Sequence, residues 1–256
     1  MAAAATVTRA GHARSGRRGR RRSRKASGTA LVLFARVPRP GLVKTRLTPP
    51  LTAREACRLH TAFLEDVAQV VRTAARRSGA VPWVAFSSPW EPPRRGALTS
   101  ALRGFRRLPQ RGGDLGARMR RTFLHLLRQG YGGVVLVGGD SPTIPASRLV
   151  EACRALRAGA DLVLGPARDG GYYLVGLRRD RPPLFRRVAW GTAGVLRTTL
   201  RRARRARLGI RLLKPWYDVD RSADLIRLRR ELRGRARRRA TRTATLLDAL
   251  ENRLSS

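Results

Sequence analysis

The chain has 256 residues, 42% of them hydrophobic, enough for one large α/β domain with a core that needs no staples. Lysine and arginine number 56 against 16 acidic residues, a formal net charge of +40 that draws anionic ligands and nucleic acid alike. No apolar run approaches the ~18 residues of a membrane span, no apolar stretch follows the basic N-terminus to make a signal peptide, and Cys57 and Cys153 have neither metal-ligand nor disulfide-framework spacing. A reduced, cytoplasmic setting is expected.

Residues 1–28 are Ala, Gly, Ser and Arg, and the run from Arg17 to Lys25 leaves little to bury, so a disordered basic tail is expected there. Residues 29–35, Thr-Ala-Leu-Val-Leu-Phe-Ala, read as a short buried strand. A Pro/Gly loop over 36–46 follows. A long helix should start after Thr52, with Glu55 completing a capping box and Ala56, Leu59, Phe63, Val67, Val70 and Ala74 on one face. Strands are predicted at 82–86 and 104–108, separated by a loop over 87–103. Asp114 should cap a helix that turns Leu115, Met119, Phe123 and Leu126 inward. A four-residue apolar strand at 134–137 runs into Gly138-Gly139-Asp140-Ser141-Pro142. Helices are expected at 146–156, 193–207 and 223–232, strands at 161–164, 172–177 and 210–213, and one last helix near 244–254 after a basic linker that begins at 233. Strands alternating with helices predict an α/β domain over 29–232, with a mostly parallel central sheet and helices on both faces.

Several residues could carry chemistry. Asp140 stands at the carboxyl end of a central strand, where open α/β sheets bind ligands. It could ligate Mg²⁺ or Mn²⁺, which prefer oxygen, or could cap its own turn. In the loop after the first strand, Gly41 frees the backbone, and Lys44 and Arg46 beside it suit nucleotide phosphates. The spacing is neither a Walker A loop nor a dinucleotide fingerprint. Asp169-Gly170-Gly171 offers a carboxylate beside backbone that can approach a ligand closely, or simply a hairpin turn. Tyr172 and Tyr173 should point to opposite faces of their strand, one to the core and one to the site. Asp218 and Asp220 lie two apart, on one side if extended; either could complete a metal site with Asp140, and Asp220 or Ser222 could instead cap the next helix. His60 and His125 fall on predicted helices away from strand ends and His12 lies in the tail, so no histidine-based mechanism is expected. The absence of G-x-S-x-G argues against an α/β-hydrolase.

In order, Phe34-Ala35-Arg36, the string from Pro40 to Leu47, Gln110, the string from Gly113 to Met119, Gly139-Asp140-Ser141-Pro142, the string from Gly165 to Leu177, Trp190 and Asp218-Val219-Asp220 resemble the DUF2064 group of GT-A-type glycosyltransferase-like proteins, also called radical-SAM/selenodomain-associated transferases. The likeness runs over about residues 29 to 230, and the Lys-x-Arg-Leu loop is also similar to that of phospholactate guanylyltransferases. Gly139 and Ser141 stand where the family usually has Thr and Cys, and Arg168 where an acidic residue is common.

The resemblance implies a Rossmann-like GT-A fold of the nucleotide-diphospho-sugar transferase kind and a nucleotide-sugar or NTP donor. The expected reaction is metal-dependent transfer, most simply glycosyl transfer to a small-molecule acceptor of unknown identity. Arg36, Gly41, Lys44, Arg46, Gly170 and Gly171 would contact the donor. Asp140, with Asp220 or Asp218, would hold Mg²⁺ or Mn²⁺ on its diphosphate, and Asp169 would serve as base or would position the acceptor. Two alternatives stand beside it. One is a nucleotidyltransferase that releases pyrophosphate. The other is a basic nucleic-acid-binding protein on a degenerate transferase fold, although arginine spread over every predicted helix points to compositional bias rather than one binding stripe. Non-specific nucleic-acid contact through the basic tail is compatible with each.

Overall fold

The computed structural model describes residues 28–87 and 96–251. The tail over 1–27, part of the loop over 87–103 and the end of the last predicted helix lie outside the described residues. Fourteen principal elements follow one another: β1 (Thr29–Ala35), α1 (Ala53–Ser78), β2 (Val81–Phe86), α2 (Ala97–Ala101), β3 (Arg106–Pro109), α3 (Leu115–Arg128), β4 (Gly133–Gly138), α4 (Ala146–Arg157), β5 (Leu162–Pro166), β6 (Tyr172–Leu177), α5 (Val195–Arg205), β7 (Ile210–Leu212), α6 (Ser222–Leu232) and α7 (Thr241–Ala249).

The seven strands form one sheet in the order β3-β2-β1-β4-β6-β5-β7. β1 lies parallel to both β2 and β4, and β5 is parallel to β7. β6 alone runs against its neighbours β4 and β5. Alternation along β1 explains the layers. Leu31, Leu33 and Ala35 face a core shared with α1, α2 and α4, while Ala30 and Val32 face one shared with α3 and α5. The chain leaves β1 toward β2 on one side and returns as β4 on the other. That reversal opens a crevice at the carboxyl ends of β1 and β4, the place where such sheets take ligands.

Local chemistry sets the helix starts. Thr52 and Glu55 form the expected capping box, with Thr52 N–H donating to Glu55 Oε2 at 2.9 Å and Glu55 N–H donating to Thr52 Oγ1 at 3.3 Å. Asp114 Oδ1 accepts from Ala117 N–H at 2.6 Å and caps α3. Two readings need correction. A short helix, α2, lies within the stretch read as loop, because Leu98 and Ala101 bury against α1. Leu115 is 42% exposed rather than inward, since the first residue of α3 stands on the rim of the crevice.

A third core cluster joins the N-terminal half of α1 to α6 and α7 through Leu59, Phe63, Leu225, Leu228, Ala244 and Leu247. The stretch read as a basic linker carries a 3-10 turn, Arg235–Arg238, whose Ala236 is buried. α7 is held from outside itself: Asp66 on α1, 2% exposed, accepts from the amides of Arg242 (3.2 Å) and Thr243 (2.8 Å), two of the first N–H groups of that helix. Arg242 Nε also sits 3.1 Å from Glu65 Oε2. Asp66→Ala should therefore lower stability by about 2 kcal/mol, the cost of leaving buried amides without acceptors. Asp66→Asn, which keeps one acceptor, should lose less in urea unfolding.

Candidate functional site

The crevice at the switch point is a cleft of about 710 Å³. Of the residues expected in a site, Arg36, Lys44, Arg46, Asp140, Asp169, Gly171, Asp218 and Asp220 all line it. Gly41 and Gly170 do not. Gly41 holds φ 77° in a turn closed by Leu42 N–H to Arg39 C=O at 3.0 Å, with Pro40 before it. It shapes the loop and stays away from the cleft wall. Gly170 holds φ 88°, and a Cβ there would come within 2.2 Å of Ala193 C=O, so it is a packing glycine behind the cleft.

The floor is built from three segments distant in sequence. β4 delivers Asp140. The backbone after β7 comes alongside it, with Val219 N–H donating to Asp140 C=O at 2.9 Å, which brings Asp218 and Asp220 to the same place. The loop after β1 inserts Lys44, whose ammonium lies 2.5 Å from Asp140 Oδ1, 2.9 Å from Asp220 Oδ1 and 2.7 Å from Val219 C=O. Asp220 does not cap α6. Asp224 does so by reaching back, its Oδ2 accepting from Arg221 (2.8 Å) and Asp220 (3.0 Å) amides, and this leaves the Asp220 carboxylate for Lys44.

Burial alone would lower the Lys44 pKa, but the charges of Asp140 and Asp220 more than reverse this, and it rises. Asp140 shows the complement. The protein around it disfavours its charge, yet the Lys44 ammonium holds its pKa below the usual carboxylate range. Its side chain still presents 40% of its surface to the cleft, so water screens part of this. Asp218 differs. Its Oδ1 is 2.6 Å from Ser141 Oγ, which also bonds Tyr217 C=O at 2.9 Å. Burial, helped by the nearby charge of Asp140, pushes its pKa up to about 7.

The three expected metal ligands therefore do not stand ready for an ion. Two are engaged by an ammonium, the third by a hydroxyl. Among the described residues no group of three or more His, Cys, Asp or Glu side chains is arranged to hold a metal. As placed, these residues do not fit a bound divalent cation.

His60 corrects the sequence reading. It lies on α1 but lines the cleft, is 3% exposed, and puts Nδ1 3.8 Å from Asp140 Oδ1. Its Nε2 is 3.2 Å from Arg36 C=O, an acceptor only, so Nε2 carries the proton. Burial lowers its pKa, consistent with a neutral ring. Helix periodicity did carry a signal: His60 adjoins Leu59 and Phe63 on the inward side of α1, under the basic loop.

The walls are polar and aromatic. Gln110 Nε2 donates to the carbonyls of Ala35 (2.9 Å) and Ala85 (2.8 Å) and ties together the ends of β1 and β2. Asp169 Oδ1 accepts from Gly171 N–H at 2.9 Å, and its turn joins the antiparallel strands β5 and β6. The hairpin role is real, and the exposed carboxylate faces the cleft as well. The two tyrosines face opposite sides of the sheet as expected, but they do not divide into core and site: Tyr173 packs in the α1/α4 core, Tyr172 packs with Trp190 on the other face, rings at 6.3 Å and 90°, and both border the cleft. Arg36 and Arg46 are exposed, and neither forms an ion pair with a carboxylate among the described residues.

The Asp218 environment gives a pH test. Its folded pKa is raised above its unfolded value of about 3.9, so the folded state holds the extra proton between those limits. Its stabilising contribution is full below about pH 4 and is lost as pH rises through about 7. Urea unfolding from pH 5 to 8 should show wild type losing up to about 1.4 kcal/mol per pH unit more than Asp218→Asn. Parallel pH profiles of the two proteins would contradict the assignment.

Known proteins resemble the chain as a whole. A protein of known structure from Desulfovibrio desulfuricans G20, provisionally named a nucleotide-diphospho-sugar transferase, is 33% identical, with a TM-score of 0.78 over 89% of this chain and 96% of its own. A cytidylyltransferase from Leptospira borgpetersenii serovar Hardjo-bovis is 10% identical, with a TM-score of 0.49 over 89% of this chain and 95% of its own. A 4-diphosphocytidyl-2C-methyl-D-erythritol synthase from Anaerococcus prevotii DSM 20548 is 11% identical, with a TM-score of 0.49 over 81% and 97%. No curated protein matches the chain. The family model described as "Uncharacterized protein conserved in bacteria (DUF2064)" matches residues 70–192. With that match and the 33% identity to the Desulfovibrio protein, the chain belongs to the DUF2064 family and has the nucleotide-diphospho-sugar transferase fold.

Proposed function

We propose that the protein is a transferase that uses a nucleotide-activated donor, a nucleotide-sugar in the first instance, bound in the switch-point cleft. One observation carries this reading. Arg36 and Arg46, exposed and without carboxylate partners among the described residues, converge on the cleft at the carboxyl end of β1. Guanidinium groups match phosphate oxygens in geometry and charge, and unpaired ones lose no existing salt bridge on meeting them. The 33% identity to the Desulfovibrio protein supports the same donor class.

Chemically, transfer leaves negative charge on the departing phosphate, and the task of the site is to stabilise that charge. Arg36 and Arg46 do this from the loop. Asp169, on the opposite wall, takes the acceptor's proton or holds its hydroxyl in line. Asp140, Asp218 and Asp220 form the acidic floor, where the sequence points to Mg²⁺ or Mn²⁺. No step here is routed through such an ion, because Lys44 stands among those oxygens.

A thermal-shift screen of nucleoside diphosphates and nucleotide-sugars tests the reading. A donor at about 100 times its dissociation constant adds about 2.7 kcal/mol of stability, several degrees for a chain of this size. Arg36→Ala and Arg46→Ala should each weaken that binding about ten-fold. If no nucleotide shifts the melting point, the donor reading fails. Once a donor is found, release of nucleoside diphosphate marks glycosyl transfer, and release of pyrophosphate marks nucleotidyl transfer.

A further inference from the structure

We infer that Lys44 is the resident cation of the acidic floor: in the unliganded protein its ammonium occupies the position that a divalent ion would need, and such an ion binds only by displacing it. The inference concerns the protein alone and stands or falls separately from the donor reading.

The contacts leave no room for both. An ammonium has three N–H donors, and Lys44 directs them at three oxygens, of Asp140, Asp220 and Val219, at 2.5, 2.9 and 2.7 Å. Those two carboxylates and one carbonyl are also the all-oxygen set that a hard divalent ion prefers. The Lys44 side chain is only 4% exposed and its backbone is left-handed, φ 51°, so it is built into this position rather than resting on the surface. Displacing it breaks those three contacts and leaves two carboxylates to be satisfied by the incoming ion, a cost that the hydration regained by the ammonium only partly offsets.

A second observation shows that the floor has capacity Lys44 does not use. His60 Nδ1 is buried, has no hydrogen-bond partner and looks toward Asp140 at 3.8 Å. With the proton on Nε2, Nδ1 carries a lone pair that an ammonium already bonded three times cannot satisfy. A cation held by Asp140 in place of Lys44 would find that lone pair beside it. Imidazole nitrogen suits Mn²⁺ better than Mg²⁺, which prefers oxygen. The site freed of Lys44 should therefore favour Mn²⁺.

The test is an electron paramagnetic resonance titration of Mn²⁺ with the full-length protein and no nucleotide. Wild type should leave the free-ion signal undiminished below about 1 mM. Lys44→Met, similar in volume but uncharged, should bind one equivalent at least about ten-fold more tightly. It should prefer Mn²⁺ to Mg²⁺ in competition and lose the gain when Asp220→Asn is added. The melting point should rise with Mn²⁺ in Lys44→Met and not in wild type. If Lys44→Met folds only when refolded with Mn²⁺, that too is the expected sign of a vacated cation position; if it folds under neither condition, Lys44→Gln takes its place in the titration. Micromolar binding of Mn²⁺ by wild type alone overturns the inference without any variant, and so does a folded Lys44 variant that binds no more tightly than wild type.

Discussion

One ammonium holds the functional end of this protein together. Lys44 links the loop after β1, the end of β4 and the strand-like segment after β7, three pieces far apart in sequence, through Asp140, Asp220 and the Val219 carbonyl. A buried charge without partners costs several kcal/mol, so Lys44, 4% exposed, depends on the two carboxylates, which face the cleft and are partly screened by water. The packing beneath follows from it. Phe63 lies under the ammonium at 5.5 Å, and Leu47, Leu51, Tyr217 and Val219 close the third core around it. α6 and α7 complete that core, so the C-terminal helices set the position of Asp218 and Asp220 even though neither helix contributes a residue to the cleft.

The charge distribution across the cleft has a direction. A formal +40 surrounds it, Arg36 and Arg46 stand exposed on its wall, and the carboxylates sit on its floor. Long-range attraction draws anions to the mouth, and in the donor reading proposed above the arginines would hold the phosphates near the loop. The floor repels a bare phosphate unless a cation lies between, and in this structure that cation is Lys44. The charges near the floor thus matter more to the cleft than the excess over the whole chain.

Much of the fold was legible because it rests on local signals. The Thr52–Glu55 box, the Asp114 cap and the buried run of β4 each act within a few residues, and periodicity alone places them. The reversed direction of β6 was not legible. A strand buried on both faces has the same composition whichever way it runs, and only the short Asp169-Gly170-Gly171 turn hinted at a hairpin. The loop position of Lys44, a local fact, makes it a candidate phosphate contact. Its engagement by Asp220, 176 residues away, is a tertiary one. The place of His60 in the cleft is hidden from the sequence for the same reason: a helix position reveals which side is inward, and not which strand end lies across from it. The cap role of Asp66 on α7 likewise spans 177 residues to Thr243.

Two departures from the family pattern acquire a physical sense from their neighbours. A Cβ at Gly139 would lie 2.4 Å from Leu64 Cδ2, so the threonine usual there would force the α1 side chain aside or shift the strand end that carries Asp140. Glycine at 139 and leucine at 64 therefore fit together. Ser141 Oγ lies within hydrogen-bond distance of both Tyr217 C=O and Asp218 Oδ1, contacts that a thiol would make more weakly. That hydroxyl favours the charged form of Asp218, yet burial and the charge of Asp140 outweigh it and leave the carboxyl only partly ionised at pH 7. The floor thus carries less negative charge than three ordinary carboxylates would give it. A single ammonium can come close to balancing two carboxylates when arginines stand nearby, whereas a third full charge at this depth would need a second cation. The serine–aspartate contact and the lysine position are, in this sense, parts of one charge balance.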